Sequence, residues 1–286
     1  LYVIRKLIDF LLYGHFWIAG AALAMCLQTQ LLLLGDFYLS PFSLFVFFGT
    51  LFLYAMHRIV GLARVRPFQK SGRYFIIARF KKHILIYAML AGLVALWFYL
   101  QLPRFLQIKS LWPCLLAAGY VLPVVFGRKR LRDLSYLKIF LIALVWVWLT
   151  VYLPAAERHF QFNIPLYLMC LERFFFVFAI TLPFDIRDLE IDAYTKVKTL
   201  PARLGLKPTI VLAGLLLLFS LFFILLNVRL SVYHPAVAGA LGLSLLISFG
   251  LIYYSGRAKG DYYFTGLLDG TMPLQFALVW LTIVAL

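Results

Sequence analysis

Long apolar runs separated by short polar clusters set the pattern of this chain. A helix needs about 17–25 apolar residues to cross a bilayer. On that scale nine runs read as spans, roughly 7–28, 40–63, 81–100, 110–126, 137–153, 165–184, 207–228, 235–254 and 265–286. Lipid offers no partner to free backbone groups, so uninterrupted runs of this kind predict helices rather than strands. The first run is too long for a signal-peptide core and no small-residue cleavage site follows it, so it is expected to stay as a span. No repeat, low-complexity segment or linker divides the chain, which predicts one all-α domain over 1–286, with nine transmembrane helices in a single bundle. Two polar connections, 64–80 and 185–206, are long enough to carry short helices over one mouth of that bundle.

Composition agrees with the pattern. Of the 286 residues 64% are hydrophobic and 13% charged, with a mean hydropathy of +0.95, a balance that no soluble domain needs. A net charge of +16 would suggest nucleic acid as the partner of a soluble chain. Its placement argues against that. Twenty basic residues fall on one side of the predicted spans, from Arg5 and Lys6 through Arg64–Lys82, Arg128–Arg132 and Arg187–Lys207 to Arg257 and Lys259, against Arg104, Lys109, Arg158 and Arg229 on the other. The positive-inside rule then predicts a cytoplasmic N-terminus and, with nine spans, a C-terminus outside. The charge is a topology signal with some attraction for anionic head groups, and nucleic acid is not an expected partner. The expected location is a cell membrane, taken as a bacterial inner membrane. Cys26, Cys114 and Cys170 stand alone inside apolar runs and suggest neither a disulfide nor a metal set.

Candidate chemistry concentrates in one stretch. The chain has eleven acidic residues, and Asp185, Asp188, Glu190 and Asp192 lie within eight positions of each other. On one continuous helix Asp185, Asp188 and Asp192 share a face, where three carboxylates repel unless a cation sits among them. Lys196, Lys198 and Arg203 follow closely and are suited to an anion held by that cation. The layout points to a metal-bridged phosphate or diphosphate at the cytoplasmic end of the sixth predicted span.

The run Asp185-x-x-Asp188-x-Glu190-x-Asp192, followed by Lys198-Thr199-Leu200-Pro201-x-Arg203-Leu204-Gly205, resembles the second aspartate motif of the UbiA-type intramembrane prenyltransferases. Tyr120-Val121-Leu122-Pro123, with Lys129-Arg130-Leu131-Arg132 and Tyr136-Leu137, is similar to that family's connection between the fourth and fifth spans. The resemblance covers nearly the whole chain. It implies transfer of an isoprenoid group from a prenyl diphosphate to an aromatic or other lipophilic acceptor. Two aspartate-rich motifs then hold Mg²⁺ and the diphosphate, with Asp185, Asp188 and Asp192 as the catalytic and metal-binding carboxylates. The chemistry is coherent, because Mg²⁺ with Lys and Arg stabilises the charge that grows on a departing diphosphate. An apolar bundle keeps water from the allylic cation.

One departure stands out. The family's first motif, approximately Asn-Asp-x-x-Asp-x-x-x-Asp, aligns with Tyr54-Ala55-Met56-His57-Arg58-Ile59-Val60-Gly61-Leu62, which has no acidic residue. No acidic residue occurs between Asp36 and Asp133, so a shifted alignment does not restore the motif. Arg58 stands where an aspartate is lost. It either snorkels to the head groups or clamps the diphosphate with a fixed positive charge. His57 beside it is a possible base or donor. Glu190 is expected to be solvated or paired with Arg187, and Glu172 with Arg173 to form an ion pair or to snorkel. Asp269, just inside the last span, is a candidate contact for the acceptor pocket or for the basic loops. Tyr120, Tyr136 and the many Phe residues are candidates for a prenyl tunnel. Two other readings remain open at this stage. One is a catalytically degenerate member that binds isoprenoid or other lipid, or serves as a partner protein. The other is a transporter or channel, a case weakened by few intramembrane charges and by the lack of a broken-helix pair in matching halves.

Overall fold

Helix starts follow local chemistry. Ser40 caps the helix beginning at Pro41 by accepting a hydrogen bond from the Ser43 amide at 3.0 Å. Asn163 caps the helix beginning at Ile164 in the same way through Leu166, at 3.1 Å. In both, proline follows within the first turn, where its missing N–H costs nothing. The computed structural model describes residues 2–70, 72–123, 130–258 and 260–286. Arg128, Lys129 and Lys259, which contribute to the charge bias and to the fourth-to-fifth-span resemblance, lie outside the described residues.

In order the helices are α1 (Tyr2–Tyr13), α2 (Phe16–Leu34), α3 (Pro41–Leu62), α4 (Gly72–Arg79), α5 (Lys81–Gln101), α6 (Arg104–Val121) and α7 (Leu137–Val147). They continue with α8 (Leu153–Glu157), α9 (Ile164–Arg187), α10 (Leu189–Tyr194), α11 (Leu200–Leu204), α12 (Leu206–Arg229), α13 (Pro235–Tyr254) and α14 (Thr271–Ala285). A π turn, Trp148–Tyr152, joins α7 to α8 in one span, and a second, Tyr262–Leu268, leads toward α14. Among the described residues there is no strand, and eight helices are long and apolar enough to cross a membrane. The chain is a multi-pass integral membrane protein. Large apolar side chains such as Leu93, Trp97, Leu218 and Leu246 stay exposed on outer faces, where lipid is their solvent. Small residues let helix backbones approach within the bundle: Ala55 on α3 and Ala88 on α5 are fully buried in one cluster.

Two predicted spans need correction. The run 7–28 is not one helix, because Gly14 and His15 break it and His15 takes a left-handed φ of 66°. The piece before the break, α1, exposes Ile4, Leu7, Ile8 and Phe10 beside Arg5 and Lys6, the make-up of a helix lying in the interface plane. The run 110–126 corresponds to α6, which starts earlier, after Pro103; residues 124–126 of that run lie outside the description.

The expectation for Glu172 and Arg173 also changes. Both are buried inside the bundle, at 1% and 0% exposure, so neither snorkels, and no ion pair joins them. Glu172 accepts a hydrogen bond from the Tyr233 hydroxyl at 3.0 Å. Arg173 donates to the Met25 carbonyl at 3.2 Å and lies 3.4 Å from the Thr150 hydroxyl, beside the first π turn. Bundle interior is cheaper for these groups than lipid, because partners are available there.

Candidate functional site

The acidic stretch does not form the single stripe that its spacing suggests. α9 ends at Arg187, and Asp188, at φ −94° and ψ 9°, bends the chain into α10. The bend sends the carboxylates in two directions. Asp185 and Asp192, each 2% exposed, converge on Lys138 in the first turn of α7, whose ammonium lies 2.6 Å from Asp185 Oδ1 and 3.1 Å from Asp192 Oδ2. Asp188 turns toward arginines instead. It accepts from Arg187 Nε at 2.8 Å and from Arg73 Nη2 at 2.6 Å. The cation that three crowded carboxylates require is thus supplied by the chain itself.

Burial works to raise the Asp188 carboxyl, but Arg187 and Arg73 outweigh it and hold the group well below the usual carboxylate range. Arg73 is buried too, which works against its charge, and Asp188 with Asp261 more than restores it. Arg73 belongs to α4, in the connection 64–80, so this ion set joins that connection to the end of α9. Arg187 pairs with Asp188 and not with Glu190, which is exposed.

Lys138 is placed from two sides. Tyr136 precedes α7 in a left-handed conformation, φ 64°, and its amide donates to the Lys198 carbonyl at 3.0 Å. The Arg203 guanidinium stands 5.9 Å from the Tyr136 ring centre. On the other side Asp133 gathers Arg130 and Arg64 at 2.8 and 2.6 Å. Burial works to raise Asp133, yet hydrogen bonds from Arg130 pull it down to about 2. The stretch 198–205 therefore packs against the residue that starts α7, joining the two segments that carry the family resemblance.

A cavity of about 190 Å³ opens beside these ion sets. Arg58, Arg132, Arg187 and Lys138 line it together with Asp185 and Asp188. Its remaining wall is largely apolar and aromatic, including Leu53, Tyr54, Tyr120, Ile142, Val145 and Trp146. Arg58 has neither a hydrogen-bond nor a salt-bridge partner among the described residues, so it presents its guanidinium to the cavity rather than snorkelling away. Arg132 donates to His57 Nε2 and stands 5.8 Å from the Tyr120 ring centre. Since arginine only donates, His57 is an acceptor at that nitrogen. His15, 6% exposed, also lines the wall with its Nε2 unpartnered; burial first, then Arg58, lowers its pKa to about 3 and keeps it neutral.

The structure brings Asp185, Asp188 and Arg58 to one cavity wall, with Asp192 just behind Lys138. Lys196, Lys198 and Arg203 are exposed and stand outside that wall, as does Tyr136. Sequence reasoning did not single out Lys138, Arg73 and Arg132 as site residues. Lys138 had one signal, a lone cation opening an apolar span. Arg73 and Arg132 were indistinguishable from ordinary topology charge.

Carboxylate oxygens suit Mg²⁺ in kind, and Asp185 and Asp188 offer them at the cavity. Their charges are met by Lys138, Arg73 and Arg187 as they stand. No group of three His, Cys, Asp or Glu side chains among the described residues converges on one point. As they stand, these carboxylates are engaged by cations of the chain itself rather than gathered around a metal position.

No protein-family model and no curated protein matches the sequence. Solved structures do match. A UbiA homologue from Archaeoglobus fulgidus bound to DMAPP and Mg²⁺ is 13% identical, with 98% of this chain and 99% of that one covered at a TM-score of 0.69. A UbiA homologue from Archaeoglobus fulgidus bound to GPP and Mg²⁺ gives 0.68 at 13% identity, over 95% and 99%. A digeranylgeranylglyceryl phosphate synthase gives 0.58 at 13% identity, over 98% of both chains. This chain shares the fold of these UbiA homologues.

Proposed function

We propose that this chain transfers an isoprenoid group from a prenyl diphosphate to an aromatic or other lipophilic acceptor inside the membrane, assisted by Mg²⁺. The observation that carries the reading is the cavity wall, which combines the unpaired Arg58 with Lys138, Arg132 and Arg187 and is otherwise largely apolar. A diphosphate needs the first set and an isoprenoid tail the second. In this reading Asp185, Asp188 and Asp192 are the catalytic carboxylates and hold Mg²⁺, which would neutralise charge on the leaving diphosphate. UbiA homologues bound to a prenyl diphosphate and Mg²⁺ support that choice. Arg58, standing where the first motif's aspartates are lost, clamps the diphosphate directly. Lys196, Lys198 and Arg203 bind it on approach, from an exposed loop. The stretches 64–80 and 185–206 close over the active-site mouth, and the enzyme sits in a bacterial inner membrane.

Purified protein incubated with labelled prenyl diphosphates, in Mg²⁺ or in EDTA, tests the reading through diphosphate release and lipid products. Release that depends on Mg²⁺ and is lost in Asp185→Ala is the expected result. The ion pairs that already neutralise all three aspartates favour a second reading, a catalytically degenerate protein that binds isoprenoid or other lipid. Tight retention of prenyl diphosphate without release under any acceptor supports that one.

A further inference from the structure

One carboxylate in the cavity wall takes no part in the ion sets described above. Asp269 lines the cavity, partly buried, and among the described residues it has no hydrogen-bond or salt-bridge partner. The charged groups that act on it through space are Arg187 and Arg58. It stands eight positions from Asp261, which pairs with Arg73 at the mouth, so it lies roughly 12 Å further along the helix. An ionisable side chain held unpaired inside a membrane bundle is costly and points to a ligand.

The backbone that carries Asp269 is itself unusual. The π turn Tyr262–Leu268 ends on this residue, whose amide donates to the Phe264 carbonyl at 3.2 Å. The Gly266 carbonyl, besides its helical bond from the Gly270 amide at 3.1 Å, accepts from Trp17 Nε1 at 3.0 Å. Single π turns inside helices gather at functional sites, and this one is tied to α2 through a tryptophan that also lines the cavity. His15, neutral and with a buried free Nε2, belongs to the same wall.

This part of the wall therefore offers one carboxyl group without a partner and one neutral imidazole, bordered by Tyr54 and Thr265. An anion entering here would face the Asp269 carboxylate, because Arg58 is committed to the diphosphate. A neutral hydroxyl group is the complementary guest. We propose that Asp269 binds and deprotonates the acceptor, and that the acceptor is a neutral lipophilic alcohol or phenol. The inference rests on the transferase reading given above. The step balances as follows: the acceptor's O–H bond breaks and its proton passes to an Asp269 oxygen. The acceptor oxygen then bonds to C1 of the prenyl group, and the C1–O bond to diphosphate breaks with its electron pair leaving on the diphosphate.

The test uses the full chain purified in detergent, labelled geranyl diphosphate with Mg²⁺, and two acceptor probes. These are 4-pentylphenol, which is neutral, and 4-hydroxybenzoate, which carries an extra carboxylate. Wild type is expected to alkylate the phenol in preference to the benzoate. Asp269→Asn should lower transfer by about 100-fold or more, the usual range for loss of a general base, while geranyl diphosphate binds with unchanged affinity. A merely structural role would move both quantities together. Three results overturn the inference: undiminished transfer by Asp269→Asn, preference for the benzoate, or alkylation of neither probe by protein that binds geranyl diphosphate and releases diphosphate. The last leaves the donor half of the transferase reading standing. Failure of wild type to bind geranyl diphosphate removes that reading and this inference together.

Discussion

The Lys138 ammonium lies 2.6 Å from an Asp185 carboxylate oxygen, joining two residues that are forty-seven positions apart in sequence. The same ammonium reaches Asp192 at 3.1 Å, so one cation neutralises two buried acids. Removing it leaves both carboxylates without their cation, and breaking a buried pair in this way typically costs about 3–5 kcal/mol. Lys138→Met is therefore expected to melt well below wild type in EDTA. It should recover part of the loss when Mg²⁺ is added, since the metal can enter the space between Asp185 and Asp192. A thermal-shift series over Mg²⁺ concentration measures both effects. Equal melting of variant and wild type in EDTA would refute the electrostatic account.

Arg58 differs from the other arginines at the cavity because no acid among the described residues holds it. Hydrogen bonds to charged groups contribute about 1.5–3 kcal/mol. Arg58→Ala should accordingly weaken binding of geranyl diphosphate by about 10- to 100-fold, with little change in melting temperature. Arg58→Lys should recover only part of the affinity, since a point charge lacks the planar fork. Equilibrium binding of labelled geranyl diphosphate decides it, and unchanged affinity in Arg58→Ala would return this residue to ordinary topology charge.

The exposed loop cations act differently. Lys196, Lys198 and Arg203 stand outside the cavity wall, so their charges work over distance and are screened by salt. Replacing all three by alanine is expected to slow association of geranyl diphosphate at low ionic strength and to leave dissociation nearly unchanged. The difference from wild type should vanish at high salt. Stopped-flow binding at two ionic strengths provides the check; a faster dissociation rate would mean direct contact instead.

Much of this was legible in the sequence. Apolar runs located most of the helices, and the density of acids at Asp185–Asp192 pointed to the stretch that borders the cavity. What stayed hidden depends on tertiary direction. Asp185, Asp188 and Asp192 fit one helical face only if the helix continues, and the bend at Asp188 divides them between Lys138 and the two arginines. Arg73 and Arg132 look like any other basic residues of a polar connection until the fold places one on Asp188 and the other on the cavity wall. The break at Gly14–His15 escaped as well, because His15 lies inside a run whose hydropathy alone predicts continuity.

His15 gives the chain a pH-sensitive element. Its pKa falls from 6.5 to about 3 on folding, through burial and the nearby Arg58. Between those two values the unfolded chain binds a proton that the folded chain excludes, so stability rises with pH across the window and is lost as pH falls through it. The melting temperature of wild type in detergent should therefore drop as pH is lowered below 6.5. His15→Gln should show a shallower slope over the same window. Parallel slopes for the two proteins would assign the pH dependence to other groups.

Gly270 controls how the Asp269 carboxylate is presented. It has ordinary helical angles, φ −65° and ψ −16°, so the demand for glycine there is steric and not conformational. A Cβ at this position would lie 2.5 Å from the Gly266 carbonyl oxygen and 3.2 Å from that of Leu267, both of them backbone atoms. Backbone cannot swing aside as a side chain can, and overpacking of this kind typically costs about 1–3 kcal/mol. To relieve the contact the π turn must shift, and the Trp17 bond to the Gly266 carbonyl shifts with it. Gly270→Ala is expected to lower the melting temperature modestly and to displace Asp269 from its place in the wall. Since Arg58 and Lys138 lie on other helices, geranyl diphosphate should still bind with near-normal affinity while transfer to 4-pentylphenol falls. Measuring donor affinity and transfer on the same preparation separates these effects, and an equal loss of both would mean that the π turn supports the whole cavity rather than the acceptor side alone.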